Sequence, residues 1–239
     1  MNHYLTVKMG VDKLAALLLL LLIWPLILVC GILIKIEDST GPIFFLQERV
    51  GRKNKKFKIY KLRSMRAEKD SNGNPLTERE RLLTIGLIIR KLSLDEMPQL
   101  INILRGEMSF IGPRPLLVNY LPCYTKKEIQ RHNVNPGISG WAQVNGRNSL
   151  NWEERFALDI EYIEKISFSF DFKILFLTIV KVIKRSDISE NEEENLEDFD
   201  NYRVNQWQVE ELPKAMVNIY GNSVIIHALN QLKQERANE

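Results

Sequence analysis

Residues 92–100 read LSLDEMPQL and place two acids, Asp95 and Glu96, side by side between apolar neighbours. Adjacent carboxylates in a helical first turn suit the positive end of the helix dipole, and Ser93-Leu94-Asp95-Glu96 has the S-x-x-E form of a capping box. Pro98 agrees with a helix start, because proline is tolerated in a first turn. The spacing therefore predicts helix punctuation at Ser93. Four arginines, Arg63, Arg90, Arg114 and Arg147, sit in segments rich in turn residues or sequence punctuation. Arginine is the side chain for bidentate phosphate contacts, so a pyrophosphate-bearing ligand is one use for them. The two cysteines and three histidines are scattered, which argues against a disulfide framework, a zinc site or a catalytic histidine pair.

The elements that must position these groups begin with LAALLLLLLIWPLILVCGILI, residues 14–34, which holds no charge. Twenty-one residues at about 1.5 Å each cover a hydrocarbon core of roughly 30 Å. No small-x-small cleavage site precedes the charged KIEDS, so a signal peptide fits poorly. Lys8 and Lys13 precede the run, while Lys35 and a dense basic cluster from Arg49 to Arg66 follow it. A simple crossing would export that cluster against the positive-inside rule. Pro25, near the middle, can kink the helix. A re-entrant hairpin satisfies both flanks; an ordinary span with a proline kink is the alternative.

Beyond the apolar run, IFFLQERVG and FKIYKLRSM read as a two-stranded hairpin around the turn GRKNKK. Helices are expected over 78–92, from Asp95 to Leu104 with a stop at Gly106, near 116–132, over 152–166 and over 171–185, with NPGISGWAQVNGRN as a loop. Residues 171–185 are amphipathic and basic, suited equally to a headgroup layer and to the domain's own core. A further short helix is expected at 222–236. The net charge of +3 conceals an asymmetry. From Ser186 onward there are 12 acids against 4 bases, so the first 185 residues carry about +11 and suit an anionic partner. With a membrane segment directly upstream, anionic lipid headgroups fit the basic cluster better than nucleic acid does.

RVGRKNKKFKIYKLRSM, IRKLSLDEMPQLINILRGEMSFIGPRP and NPGISGWAQVNGRN together closely resemble the small monotopic phosphoglycosyl transferases of bacteria. The resemblance runs from about Lys8 to about Ile188. It implies an α+β, mainly helical fold: a re-entrant membrane helix hairpin at 1–36, then a catalytic domain at 37–188 with a short β-hairpin and interfacial amphipathic helices. Residues 189–239 lie outside it, and a partner or homodimer contact is the only role they suggest. The implied activity is transfer of a sugar 1-phosphate from a UDP-sugar to undecaprenyl phosphate at the cytoplasmic face of the inner membrane. Mg²⁺ is the implied cofactor, inner-membrane lipids are the implied surroundings, and nucleic acid is no partner. Residue by residue, Asp95 matches the family's nucleophile and a metal ligand, and Glu96 its partner acid. Arg114 matches an active-site arginine, while Lys61, Arg90, Arg147 and Asp159 match positions at or near the substrate phosphates.

Two departures stand out. Trp24-Pro25 replaces the family's frequent Ser-Pro, and the basic pair before the membrane helix is reduced to Lys8 followed by Met9. The rival reading from another class is a non-catalytic membrane scaffold for glycan assembly, against which the intact acid pair and the arginines speak.

Overall fold

Leucine, isoleucine and alanine dominate residues 14–34, and in the computed structural model they lie within one α-helix, α1 (Asn2–Glu37), with Pro25 inside it. The structure describes residues 2–67, 74–146, 150–184 and 198–207. By length and composition α1 could cross a membrane. Its apolar side chains stay open along most of the helix, Leu22 being 74% exposed and Ile36 76%. No break into two helical arms is assigned within α1. Two compact units divide the chain: Met1–Glu48 with Phe57–Phe110, and Arg49–Lys56 with Ile111–Glu239.

In the first unit, β1 (Phe44–Val50) and β2 (Lys56–Leu62) pair as the expected hairpin, whose tip belongs to the second unit. The helix expected over 78–92 is two helices, α2 (Glu78–Arg81) and α3 (Thr84–Lys91). β-type pairing wins between them: Leu82 bridges Met65, and the Leu83 amide donates to the Ser64 carbonyl at 3.0 Å. Gly86 lets α3 approach that segment, since a Cβ there would lie 2.2 Å from the Ser64 carbonyl oxygen. The segment expected to be helical from Asp95 starts as a 3₁₀ turn (Leu94–Gln99) and becomes α-helical only in α4 (Leu100–Leu104). Pro98 has no N–H for the Leu94 carbonyl, so the α-type bond cannot form there. Cys30 and Ile34 of α1, Leu62, Leu83 and Ile89 make the core of this unit.

No residue next to α3 caps its N-terminus. The cap comes instead from Glu37, the last residue of α1. It accepts the Thr84 amide at 2.7 Å and the Ile85 amide at 2.9 Å, satisfying two donors a helix start leaves bare. Next to it, Arg63 donates to the Asp38 carboxylate and to the Asp38 carbonyl, both at 2.6 Å. The Asp38 carboxyl falls to about 2, chiefly through its hydrogen bond from Thr40 and also through Arg63.

β3 (Ser109–Ile111) leads into the second unit, where the Gly112 amide donates to the Ser139 carbonyl of β4 (Gly137–Ser139). The segment near 116–132 is not one helix. It is two 3₁₀ turns, Val118–Cys123 and Glu128–Asn133, with Pro122 ending the first run of amide donors. The expected loop at 135–148 carries β4 and a short helix, α5 (Trp141–Val144). Gly137 packs backbone on backbone, a Cβ there meeting the Gly112 nitrogen at 2.2 Å. α6 (Trp152–Lys165) and α7 (Phe168–Lys184) form as expected, α6 under a capping box between Asn151 and Glu154. α7 leaves Phe168, Phe172, Phe176, Val182 and Ile183 exposed. α8 (Phe199–Trp207) completes the described chain, and the helix expected at 222–236 lies outside the described residues.

Candidate active site

Ser93 decides how Asp95 is presented. Its backbone is left-handed (φ 54°, ψ 25°) and its side chain makes no cap bond, so the capping box read from the sequence is absent. Instead Ser93 closes α3 from its C-terminal side, its amide donating to the Arg90 carbonyl at 2.9 Å. A left-handed residue other than glycine costs of order 1–3 kcal/mol, and such strain gathers at functional sites. The reversal it makes puts Asp95 and Glu96 in the first turn of the 3₁₀ segment.

Lys61 of β2 faces the acid pair. Its Nζ lies 2.9 Å from Glu96 Oε1 and 3.9 Å from Asp95 Oδ2. The side chains of Asp95, Glu96 and Lys61 retain only 17%, 16% and 21% of their exposure. Burial pushes the Asp95 carboxyl above its ordinary value, and Glu96 adds to this, while Lys61 and Arg90 oppose it. The result is a carboxylate more basic than a solvated aspartate and therefore a better nucleophile. Arg90 is exposed; it donates from Nε to Ser64 Oγ at 3.0 Å and from Nη2 to Met65 Sδ at 3.2 Å. Thus Lys61, Arg90, Asp95 and Glu96 gather in one unit. Leu94 and Met97 flank the acids and, with Ile23, Ile27, Cys30 and Leu62, line an apolar recess of about 30 Å³ against α1.

Asn102 is a positioning residue that the sequence reading missed. It is fully buried and completes the inner side of β2. Its Oδ1 accepts the Tyr60 amide at 3.1 Å, and its Nδ2 donates to the Lys58 carbonyl and to Glu107 Oε2, each at 2.7 Å. These are the groups just before Lys61. The available signal was an amide amid the apolar run Leu100-Ile101-Asn102-Ile103-Leu104.

In the second unit, Arg114 is part-buried and its carbonyl accepts Arg131 Nη2 at 2.8 Å. Arg131 also donates twice to Asp159 Oδ2, from Nε at 2.9 Å and Nη2 at 2.7 Å. Arg131 and Asp159 are 3% and 2% exposed. Burial pushes the Asp159 carboxyl up and the Arg131 guanidinium opposes it. Asp159 therefore faces a guanidinium, not an open phosphate-binding surface, and reaches Arg114 through Arg131. Arg147 lies outside the described residues.

Among the described residues no group of three or more His, Cys, Asp or Glu side chains forms a metal cage. The Asp95–Glu96 pair nevertheless fits the way Mg²⁺ is commonly held, by one or two carboxylates with substrate phosphates and waters supplying the rest.

Residues 3–185 match the family described as bacterial sugar transferase. The chain is 50% identical over 159 residues to the uncharacterized sugar transferase EpsL of Bacillus subtilis (strain 168), covering 66% of this chain and 79% of that protein. It is 39% identical over 188 residues to the UDP-N-acetylgalactosamine-undecaprenyl-phosphate N-acetylgalactosaminephosphotransferase of Aeromonas hydrophila, covering 75% of this chain and 44% of the relative. Against the UDP-glucose:undecaprenyl-phosphate glucose-1-phosphate transferase of Escherichia coli (strain K12) the identity is 41% over 184 residues, 73% of this chain and 39% of the relative. The chain thus spans less than half the length of the last two.

Proposed function

The chain belongs to the bacterial sugar transferase family, and we propose that it moves a sugar 1-phosphate from a UDP-sugar to undecaprenyl phosphate, releasing UMP, in surface-glycan assembly. The observation that carries this reading is the largely buried Asp95–Glu96 pair facing Lys61 beside an apolar recess on α1. An Asp95 oxygen attacks the sugar-bearing phosphorus, and the bond from that phosphorus to the UMP oxygen breaks. The aspartyl phosphosugar then loses its phosphosugar to an oxygen of undecaprenyl phosphate, which restores the free carboxylate. Two steps spare the protein from binding a water-soluble donor and a lipid acceptor together.

Lys61 and Arg90 supply positive charge near the transferring phosphoryl group, and Arg114 and Arg147 are assigned to donor phosphates by their motif positions. Asp159 is assigned a supporting part, holding the Arg114 backbone through Arg131. Glu96 holds Lys61 beside Asp95. Mg²⁺ bound at Asp95 and Glu96 would offset phosphate charge.

A monotopic course for α1, with both ends cytoplasmic, has its own support. Ser109 Oγ donates to Asp12 Oδ2 at 2.5 Å, and Glu37 caps α3, so α1 is bonded to polar groups of the first unit both at Asp12 and at its last residue. Asp12 and Glu37 are separated by about 37 Å of helix, more than a bilayer core of roughly 30 Å. A crossing helix would hold these two carboxylates on opposite sides of the membrane. The exposed apolar face of α7, with Lys181 and Lys184 near its end, suits the same interface.

The test is UMP release from a panel of UDP-sugars with undecaprenyl phosphate and Mg²⁺, in wild type and Asp95→Asn. Wild type should turn over and form a covalent phosphosugar adduct. The asparagine variant should do neither while keeping its fold and membrane association. Substantial turnover in Asp95→Asn excludes the covalent route, and no release across the panel favours a non-catalytic scaffold.

A further inference from the structure

The family match ends at residue 185, yet residues 198–203 belong to the second unit and bury Phe199, Asp200 and Arg203. Phe199 is fully buried. Its ring lies 4.9 Å from Phe156, 5.1 Å from Trp152, 5.3 Å from Tyr124 and 5.5 Å from Tyr120, centroid to centroid. Polar bonds frame this plug on both 3₁₀ turns. Tyr120 donates its hydroxyl to Asp198 at 2.9 Å and Asn119 Nδ2 donates to Asp200 Oδ2 at 2.7 Å, on the first turn. On the second, Arg203 Nη2 donates to Glu128 Oε1 at 2.6 Å, in a pair almost closed to solvent. Burial, with the Asp198 hydrogen bond, pushes the Tyr120 hydroxyl up, so it remains a donor at any working pH.

What these two turns hold is the Arg114 loop. The first turn begins four residues after Arg114. The second carries Arg131, whose guanidinium binds the Arg114 carbonyl. We infer that residues 198–203 are an intramolecular clasp that fixes the Arg114 loop, making a segment beyond the family match a positioning element of the transfer reaction. Phe199 and Arg203 act through the turns at 118–123 and 128–133 and touch no substrate. The kinetic consequence rests on the transferase reading; the physical consequence does not.

The full-length protein is prepared as wild type, Phe199→Ser, Phe199→Leu and Arg203→Met. Amide exchange is read over 112–134 of the second unit and over 83–105 of the first. Loosening the clasp should raise exchange over 112–134 by about tenfold or more in Phe199→Ser, with a smaller rise in Arg203→Met and no change over 83–105. The KM for the UDP-sugar should rise several-fold, roughly, with a smaller fall in kcat, because the loop serves donor binding. Phe199→Leu should restore most of both, since it refills the plug. If Phe199→Ser does not fold, Arg203→Met and Phe199→Leu carry the same comparison. Exchange over 112–134 at the wild-type level in Arg203→Met, and in any folded Phe199→Ser, overturns the clasp. So does a loss confined to kcat with donor KM unchanged. The exchange measurement decides the clasp even when the wild type releases no UMP, so failure of the transferase reading is told apart from failure of this one.

Discussion

Replacing Asn102 should separate the scaffold of the site from its chemistry. Asn102→Ala leaves the Tyr60 amide and the Lys58 carbonyl unpaired inside the first unit, and Glu107 loses one donor. An orphaned buried polar group costs about 1–3 kcal/mol; these two are only part-buried, so together they cost about 1–3 kcal/mol, set against the 5–15 kcal/mol typical of whole domains. Water entering the vacated space would bring the loss toward the lower figure. Asn102→Asp should do worse. It keeps the acceptor for Tyr60 but places a carboxylate oxygen where Nδ2 now lies, 2.7 Å from both the Lys58 carbonyl and Glu107. Adding Glu107→Gln removes the charge repulsion and supplies a donor, while the Lys58 carbonyl stays unpaired. The double variant should recover about 1–2 kcal/mol relative to Asn102→Asp, a coupling within the range of contacting residues. Urea unfolding in one detergent, followed by UMP release below the transition, reads both effects. Turnover should fall further than the folded fraction does, because Lys61 follows the disturbed stretch of β2. An Asn102→Ala protein within about 0.5 kcal/mol of wild type, as an ordinary surface substitution would be, refutes the reasoning.

His132 sets an acid-side limit on the second unit. Burial, together with the Arg131 charge, lowers it to about 3, so it folds neutral beside Asn54 Oδ1 at 2.7 Å. A folded value below the unfolded 6.5 contributes stability above pH 6.5 that is lost as pH falls toward 3. The loss should reach about 2 kcal/mol by pH 5, and His132→Gln should flatten it; unfolding curves at pH 7 and pH 5 measure both. Asp38, at about 2, does not titrate in that window. For topology, single cysteines at exposed His3 and Ser39, with Cys30 and Cys123 replaced by alanine, should both resist a membrane-impermeant thiol reagent in intact cells. Labelling at position 3 with protection at position 39 would mean that α1 crosses the bilayer.

Regular periodicity was legible and long-range bonding was not. The hairpin, α6 and α7 follow from alternation and from apolar faces, and α6 has a capping box whose two partners lie three residues apart. The box at Ser93 has the same spacing but fails, because Ser93 is already used to end α3. A local motif cannot report that competition. The helix at 78–92 breaks because Leu82 and Leu83 find strand-like partners near Ser64, a pairing set by β2 about twenty residues earlier. The acid pair and Lys61 were read as site residues, and they meet. Asp159 was read as matching a position at or near the substrate phosphates; its partner Arg131 arrives from a 3₁₀ turn that the sequence presents as part of a longer helix.

The failed box and the remote cap belong to one arrangement. A short helix such as α3, eight residues long, is marginal without tertiary support, and its first amides are bonded by Glu37 at the end of α1. Its last residues carry Arg90 and end at left-handed Ser93, two positions before Asp95. From the end of the apolar helix to the acid pair the path is therefore one capped helix, about 12 Å of axial rise, and one strained reversal, with no long loop. Such a path fixes how far Asp95 stands from the apolar helix α1. The proposed reaction, between a soluble nucleotide sugar and a phosphate at a bilayer surface, would require that distance to be held. Thermal wandering of even a few ångströms would carry the carboxylate out of attack range of one partner or the other. The left-handed turn at Ser93 and the long-range cap by Glu37 are the features of this chain that hold Asp95 in place, and the cap comes from a residue remote in sequence.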